Sequence, residues 1–143
     1  MTTGWVIAIT GMILLSIADI RERKIPVIYL AAFCMASSIY TLFFGTTGRD
    51  SFFFSLLPGF FLRAVSLCTR EGIGYGDGWT VMALGLLTGA DSCFAAVCAG
   101  LVLTALCSLS LLALHKVSGK SRIPFLPFLT IGLGVGMLVQ KGI

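Results

Sequence analysis

Long apolar runs, broken by short clusters of charge and turn-forming residues, make up most of this chain. The first run, from about Gly4 to Ala18, ends in the cluster Asp19-Ile20-Arg21-Glu22-Arg23-Lys24. A second opens at Pro26, a residue suited to the first turn of a helix, and runs to Phe44, where Gly45-Thr46-Thr47-Gly48-Arg49-Asp50 predicts a turn. The third, Phe52 to Thr69, stops at Arg70-Glu71 and a glycine-rich loop. The fourth, Trp79 to Leu87, is short and ends at Thr88-Gly89-Ala90-Asp91; the fifth runs from Phe94 to Leu114, and the sixth from Ile123 to Val139. The eleven residues from Trp79 to Gly89 rise only about 16 Å as a helix, roughly half the hydrocarbon thickness of a bilayer. Either Asp77 lies below the membrane surface or this element is re-entrant. One continuous helix from Trp79 to Leu114 is disfavoured, because Gly89-Ala90-Asp91-Ser92 reads as a C-cap followed by an N-cap.

Composition decides the solvent. Of 143 residues, 57% are apolar and only 11% charged, against roughly 25% charged in soluble domains, and the mean hydropathy is +1.02. A soluble fold of this length could not bury so much apolar surface, and neither a disordered chain nor a nucleic-acid-binding domain has this composition. At about 20 residues per span, the chain holds six or seven helices and no separate soluble domain. The expected fold is therefore all-α: one integral-membrane domain over residues 1–143, built as a bundle of about six transmembrane helices.

Charge then orients it. Six spans put Arg21, Arg23, Lys24, Arg70, Lys116, Lys120 and Arg122 on one side, with Arg63 nearer that side too, and leave Arg49 and Lys141 on the other. By the positive-inside rule the first side is cytoplasmic and both termini are extracytoplasmic. The net charge of +4 is then mostly a cytoplasmic rim against anionic headgroups. Ser16-Ile17-Ala18 resembles a signal-peptide cleavage site. Yet Met1 to Trp5 carry no positive charge and the basic cluster follows the apolar run, so the first span is expected to stay uncleaved. The five cysteines lie in apolar runs without a Cys-x-x-Cys pair, and with the lone His115 they form no plausible zinc set.

Carboxylates at membrane depth are costly, so each of the six acidic residues needs a reason. Asp50 and Asp91 fall in turn contexts on the outer side, and Glu22 and Glu71 sit among basic neighbours. Asp19 and Asp77 remain, both where an apolar run meets the cytoplasmic side. Asp77 lies in Gly72-Ile73-Gly74-Tyr75-Gly76-Asp77-Gly78. Gly74 and Gly76 remove side-chain bulk and let another backbone approach, which suits a substrate lying extended beside the carboxylate; the alternative is a flexible loop with one solvated acid. A phosphate-loop reading fails, because no Gly-Lys-Ser/Thr follows. Two aspartates suffice to hydrolyse a peptide bond without metal or covalent intermediate: one carboxylate takes a proton from water while its protonated partner polarises the carbonyl. Close carboxylates share a proton and titrate as a unit. No Ser/His arrangement and no His-Glu-x-x-His competes.

Gly74-Tyr75-Gly76-Asp77 resembles the G-x-G-D motif of intramembrane aspartyl proteases. Asp19-Ile20-Arg21-Glu22-Arg23-Lys24-Ile25-Pro26 is similar to the first-aspartate segment of type IV prepilin peptidases, and Ile123-Pro124-Phe125-Leu126-Pro127-Phe128-Leu129 resembles their last-helix signature. Three motifs in order cover essentially the whole chain. Val27, Gly78-Trp79 and Leu126 depart from the usual pattern, which points to a peptidase-only, Tad-like or Gram-positive branch. The resemblance implies Asp19 and Asp77 as the catalytic dyad, with no cofactor or metal, at the cytoplasmic face of the inner membrane. It implies removal of a short basic leader from a type IV prepilin or pseudopilin. The larger relatives' N-terminal methyltransferase region finds no residues here. Pro124 and Pro127 form a kinked helix entry or, by resemblance, line the site. Arg63, twelve residues into the third run after Pro58-Gly59, either snorkels to the rim or faces a wet cavity near Asp77. Gly85-x-x-x-Gly89 and Gly132, Gly134 and Gly136 offer close helix packing. The rival readings are a small transporter or channel using Asp19 and Asp77 as proton or cation sites, and a related protease acting on preflagellins or signal peptides. Which aspartate is base, and the oligomeric state, stay open at this level.

Overall fold

A computed structural model describes residues 2–22, 26–44, 49–68, 75–114 and 124–142. They form six helices: α1 (Thr2–Glu22), α2 (Val27–Phe44), α3 (Arg49–Cys68), α4 (Tyr75–Thr88), α5 (Ala90–Ala113) and α6 (Leu126–Gln140), with no strand among the described residues. The protein is an all-α membrane bundle, as its composition predicts. By length and apolarity α1, α2 and α5 are each able to cross a membrane, while the apolar parts of α3 (Phe53–Cys68) and α6 (Leu126–Leu138) are shorter.

Helices α1, α3 and α4 run further than the apolar runs that announce them, whereas α6 starts at Leu126, after the Ile123 predicted. Asp19 lies inside α1, Arg49 and Asp50 open α3 instead of forming a turn, and Asp77 sits in the first turn of α4. Hydropathy changes where the chain leaves lipid, whereas a helix stops only where its backbone bonds find no further partner. Pro26 stands one residue outside α2, its carbonyl accepting the Leu30 N–H at 3.2 Å. Between α4 and α5 one residue makes the break: Gly89 has φ 86, a left-handed value that suits glycine. Its N–H donates to the Gly85 carbonyl at 2.9 Å, and its own carbonyl accepts the Cys93 N–H at 3.1 Å. The C-cap is thus where the pattern placed it. The N-cap is not: α5 starts on Gly89 with no side-chain cap bond, and Asp91 is carried into its first turn. The single-residue linker leaves no room for an Asx-type entry.

Helix α4 is the middle of the bundle, packed by α1, α2, α3 and α5, while α6 closes the ring between α5 and α1. Its Val81, Ala83, Leu84 and Leu87 are buried with Ala8, Met12 and Leu15 of α1, Leu62 of α3, Cys93 and Ala96 of α5, and Leu129 of α6. Antiparallel pairs pack through missing side chains. A Cβ on Gly85 would strike the Ser55 carbonyl and one on Gly59 would strike Met82, which seals α3 to α4. One on Gly132 would strike the Ala96 carbonyl and one on Gly136 the Ser92 carbonyl, which seals α5 to α6. Helix α2 runs parallel to α4, as the contacts Cys34 Sγ to Trp79 O (3.9 Å) and Thr41 Oγ1 to Leu86 O (3.3 Å) share one sequence offset. The outside is apolar: Ile28, Leu42, Phe43, Phe53, Phe54, Phe60 and Phe61 are all exposed, as a lipid solvent allows. Helices α1 and α2 are joined at the far end by Thr3 Oγ1 and the Tyr40 hydroxyl, 2.8 Å apart. Tyr40→Phe is expected to cost about 1 kcal/mol or less, read as a small fall in melting temperature in detergent.

Helix lengths set the levels of the two ends. The fourth helix starts at Tyr75 and rises about 21 Å from the α6-entry end to the end where Gly4 meets Leu87. It runs as one unbroken helix of 14 residues, Tyr75–Thr88. Helix α5 overshoots: Gly100 lies against Leu129, so about ten of its residues, roughly 15 Å, continue past the start of α6. Most of that overhang is exposed, Leu106, Leu109, Leu112 and Leu114 included.

Candidate active site

The two aspartates left over by the sequence arrive at one end of the bundle for a simple geometric reason. Helix α1 is antiparallel to α4, with Gly4 close enough to Leu87 that an added Cβ would lie 3.0 Å from its carbonyl oxygen. From that contact Asp19 is about 22 Å along α1 and Asp77 about 15 Å back along α4. Both are buried, with 9% and 6% of their surface exposed. Ser16, one turn before Asp19, and Thr80, one turn after Asp77, are buried too. A carboxylate in such a place needs fixed hydrogen-bond partners.

Asp19 finds one in α6. Its carboxylate accepts the backbone N–H of Leu126, the first residue of that helix. The prolines on either side account for this donor's availability. Pro124 and Pro127 carry no N–H themselves, and a helix start leaves its first N–H groups without intrahelical partners. Phe125, Leu126 and Leu129 are buried and anchor the turn, and the Leu129 N–H closes it on the Phe125 carbonyl at 3.0 Å. The prolines thus flank a backbone group that touches Asp19.

Asp77 stands in the first turn of α4, where the helix dipole favours an anion, and it too has an interaction partner. Gly76 precedes it, and the Gly76 carbonyl accepts from Thr80 Oγ1 at 2.9 Å; Gly74 lies outside the described residues. Gly78 lets α3 come close: an added Cβ there would lie 3.4 Å from the Arg63 Cβ and 3.5 Å from its Cα. Arg63 is half-buried, and its Cζ sits 5.5 Å from the centre of the Trp79 ring. The guanidinium is therefore held on the Trp79 face of α4 by a cation–π contact.

Three contributors were not legible beforehand: the Leu126 N–H, Trp79 as the seat of Arg63, and Thr80. Thr80 carried the one available signal, a hydroxyl three residues after Asp77 on the same helix face. Among the described residues no group of three His, Cys, Asp or Glu side chains could hold a metal ion. What the arrangement offers is two buried carboxylates at one end of an apolar bundle, a pair able to move protons to and from water and a carbonyl.

The family model described as the type IV leader peptidase family matches residues 6–109, a stretch that includes both aspartates and ends before Pro124. No curated protein and no solved structure matches the chain.

Proposed function

As this chain belongs to the type IV leader peptidase family, a family of peptidases, we propose that it is an aspartic endopeptidase with Asp19 and Asp77 as its dyad. The observation that carries the reading is the placement of two buried carboxylates, from α1 and α4, at the same end of the bundle. In this mechanism one proton is shared between them. The ionised carboxylate takes a proton from water as the oxygen attacks the scissile carbonyl, and the protonated partner gives its proton to the carbonyl oxygen. The tetrahedral diol then collapses. The first carboxyl protonates the leaving nitrogen as the C–N bond breaks, a diol proton returns to the second, and the dyad is restored.

The substrate proposed is a type IV prepilin or pseudopilin, cut between its short basic leader and its hydrophobic helix. The site faces the cytoplasmic side of the inner membrane, the side of Arg21 in the last turn of α1 and the one to which the positive-inside rule assigns the basic connections; both termini then face outward. Residues 1–143 act as one transmembrane peptidase domain. Co-expression with a prepilin in a host lacking its own peptidase tests this. A leader-length shortening of the prepilin, seen by mass spectrometry, is the expected result. A prepilin that stays full-length beside correctly inserted protein rejects it, and proton or cation flux through purified protein in vesicles would replace it with the transporter reading.

A further inference from the structure

Two carboxylates can activate a water only if something else fixes where that water sits. Resting on the dyad proposed above, we infer that Ser16 is a third catalytic residue, whose hydroxyl holds the attacking water between Asp19 and Asp77.

Three observations converge on Ser16. The first is place. It precedes Asp19 by three residues, so the two side chains are neighbours on one face of α1, with Cβ atoms about 5–6 Å apart. That face also carries Met12 and Leu15 and is buried in the core. Measured from the Gly4–Leu87 contact, Ser16 lies about 18 Å along α1, a level between those of Asp77 and Asp19. The second is what its hydroxyl does not do. In this bundle the hydroxyls of Ser37, Thr41, Thr80, Thr88, Thr104 and Thr130 all donate to the carbonyl four residues before, at 2.7 to 2.9 Å. Ser16, equally well placed to donate to the Met12 carbonyl, makes no hydrogen bond to any described residue and has no other partner. The third is that the group is not sealed. Ser16 is 8% exposed, yet no fully enclosed side-chain oxygen among the described residues lacks a partner, so the Ser16 Oγ keeps an open surface. A hydroxyl held in the core and left unspent costs free energy unless a polar ligand reaches it.

A water is the ligand that fits. A buried water takes about three polar partners, and this level supplies them: the Ser16 hydroxyl, the Asp19 oxygen left over by the Leu126 N–H, and the Asp77 carboxyl. Ser16 donates to one lone pair of the water while the water's two hydrogens go to the carboxyl groups. Its second lone pair is then aimed by default, and orientation of this kind is what raises the rate of attack. As the new C–O bond forms, the water's proton passes to the ionised carboxylate and Ser16 keeps its own. The role is the same whichever aspartate is ionised.

Initial rates on a purified prepilin, thermal unfolding in detergent and a crystal structure of the full chain grown from a lipid mesophase test this together. Ser16→Ala is expected to lower kcat about 10-fold or more, the worth of one hydrogen bond to a reacting group, with KM unchanged. Its melting temperature should stay within about 2 °C of wild type, since no bond within the protein is lost. Ser16→Cys, of similar size but a weak donor, should slow alike, and Ser37→Ala, which removes a hydroxyl that serves only its own helix, should keep the wild-type kcat. Cleavage by Ser16→Ala at the wild-type kcat overturns the role. In the crystal, a water within hydrogen-bond distance of both Ser16 Oγ and the Asp19 carboxyl group is expected. A Ser16 hydroxyl turned onto the Met12 carbonyl, or not bridged to Asp19 by water, overturns the placement. Should wild-type protein cleave no prepilin, the peptidase reading falls and the catalytic role with it, while the crystal still judges the Ser16 water by itself.

Discussion

Asp19→Asn and Asp77→Asn are each expected to lower prepilin cleavage about 1,000-fold or more while leaving the protein inserted and folded. Asparagine has nearly the size and shape of aspartate, and its carbonyl oxygen can still accept the Leu126 N–H that Asp19 receives. What it cannot do is exchange a proton at working pH. General acid–base catalysis is worth roughly 100- to 10,000-fold, and in a dyad neither member works alone, so each single substitution removes nearly the whole effect. The double variant should then be no slower than either single one, since residues acting as a unit do not add. Asp91→Asn is the matched control: it is exposed at the other end of the bundle, in the first turn of α5, and should cleave at the wild-type rate. Time courses of leader removal, with membrane fractionation to confirm insertion, decide the matter. Either dyad variant retaining wild-type rate means that the aspartate concerned is not catalytic.

The second large effect concerns packing, and two glycines on one helix provide the comparison. Gly132→Ala is expected to destabilise by about 3 kcal/mol, because its methyl group would enter the Ala96 carbonyl and approach the Gly100 backbone N at 2.9 Å. Neither neighbour is a flexible side-chain end; both belong to the backbone of α5. Relief requires the whole α5–α6 pair to move apart, and with it the turn at Leu126 that touches Asp19. Gly134 sits half a turn away with nothing within 4 Å of an added Cβ. Gly134→Ala should be neutral or gain up to about 1 kcal/mol, since alanine is the better helix former. Thermal unfolding in one detergent ranks the two variants against wild type. Similar stabilities for both would show that the α5–α6 contact is looser than described. Gly132→Ala is further expected to slow cleavage, through the displaced Leu126 N–H, and Gly134→Ala to leave it unchanged.

These glycines also show where reading a sequence stops. Gly132, Gly134 and Gly136 look alike in the chain, and each offers a close helix approach. Which of them meets a backbone depends on the rotation and register of α6 against α5, a relation between two helices that neither encodes locally. The fold class and the six elements were legible because lipid leaves an all-apolar signature at about the length of a span. Their ends were less so. Asp19 and Asp77 continue α1 and α4 as helix, since a charged residue at the edge of lipid has no reason to break backbone bonding. In the site, the two aspartates stood out by elimination, each other acid having a loop or a neighbour to explain it. The Leu126 N–H did not, because a backbone donor has no residue-type signature. Arg63 was noticeable as a charge deep in an apolar run, but its seat on Trp79 arises from the α3–α4 crossing at Gly78.

The overhang of α5 has a consequence for the lipid around this protein. On the α5 side, apolar side chains continue to Leu114, so acyl chains must extend about 15 Å beyond the level at which α6 begins and Asp19 is held. On the α6 side the described residues form no such wall. A bilayer matched to one flank is too thick for the other, and this hydrophobic mismatch is relieved by local thinning. The membrane surface is then expected to slope around the bundle, with headgroups and their water sinking on the α6 flank toward the buried carboxylates. A bilayer deformed in this way would bring solvent to the buried acids.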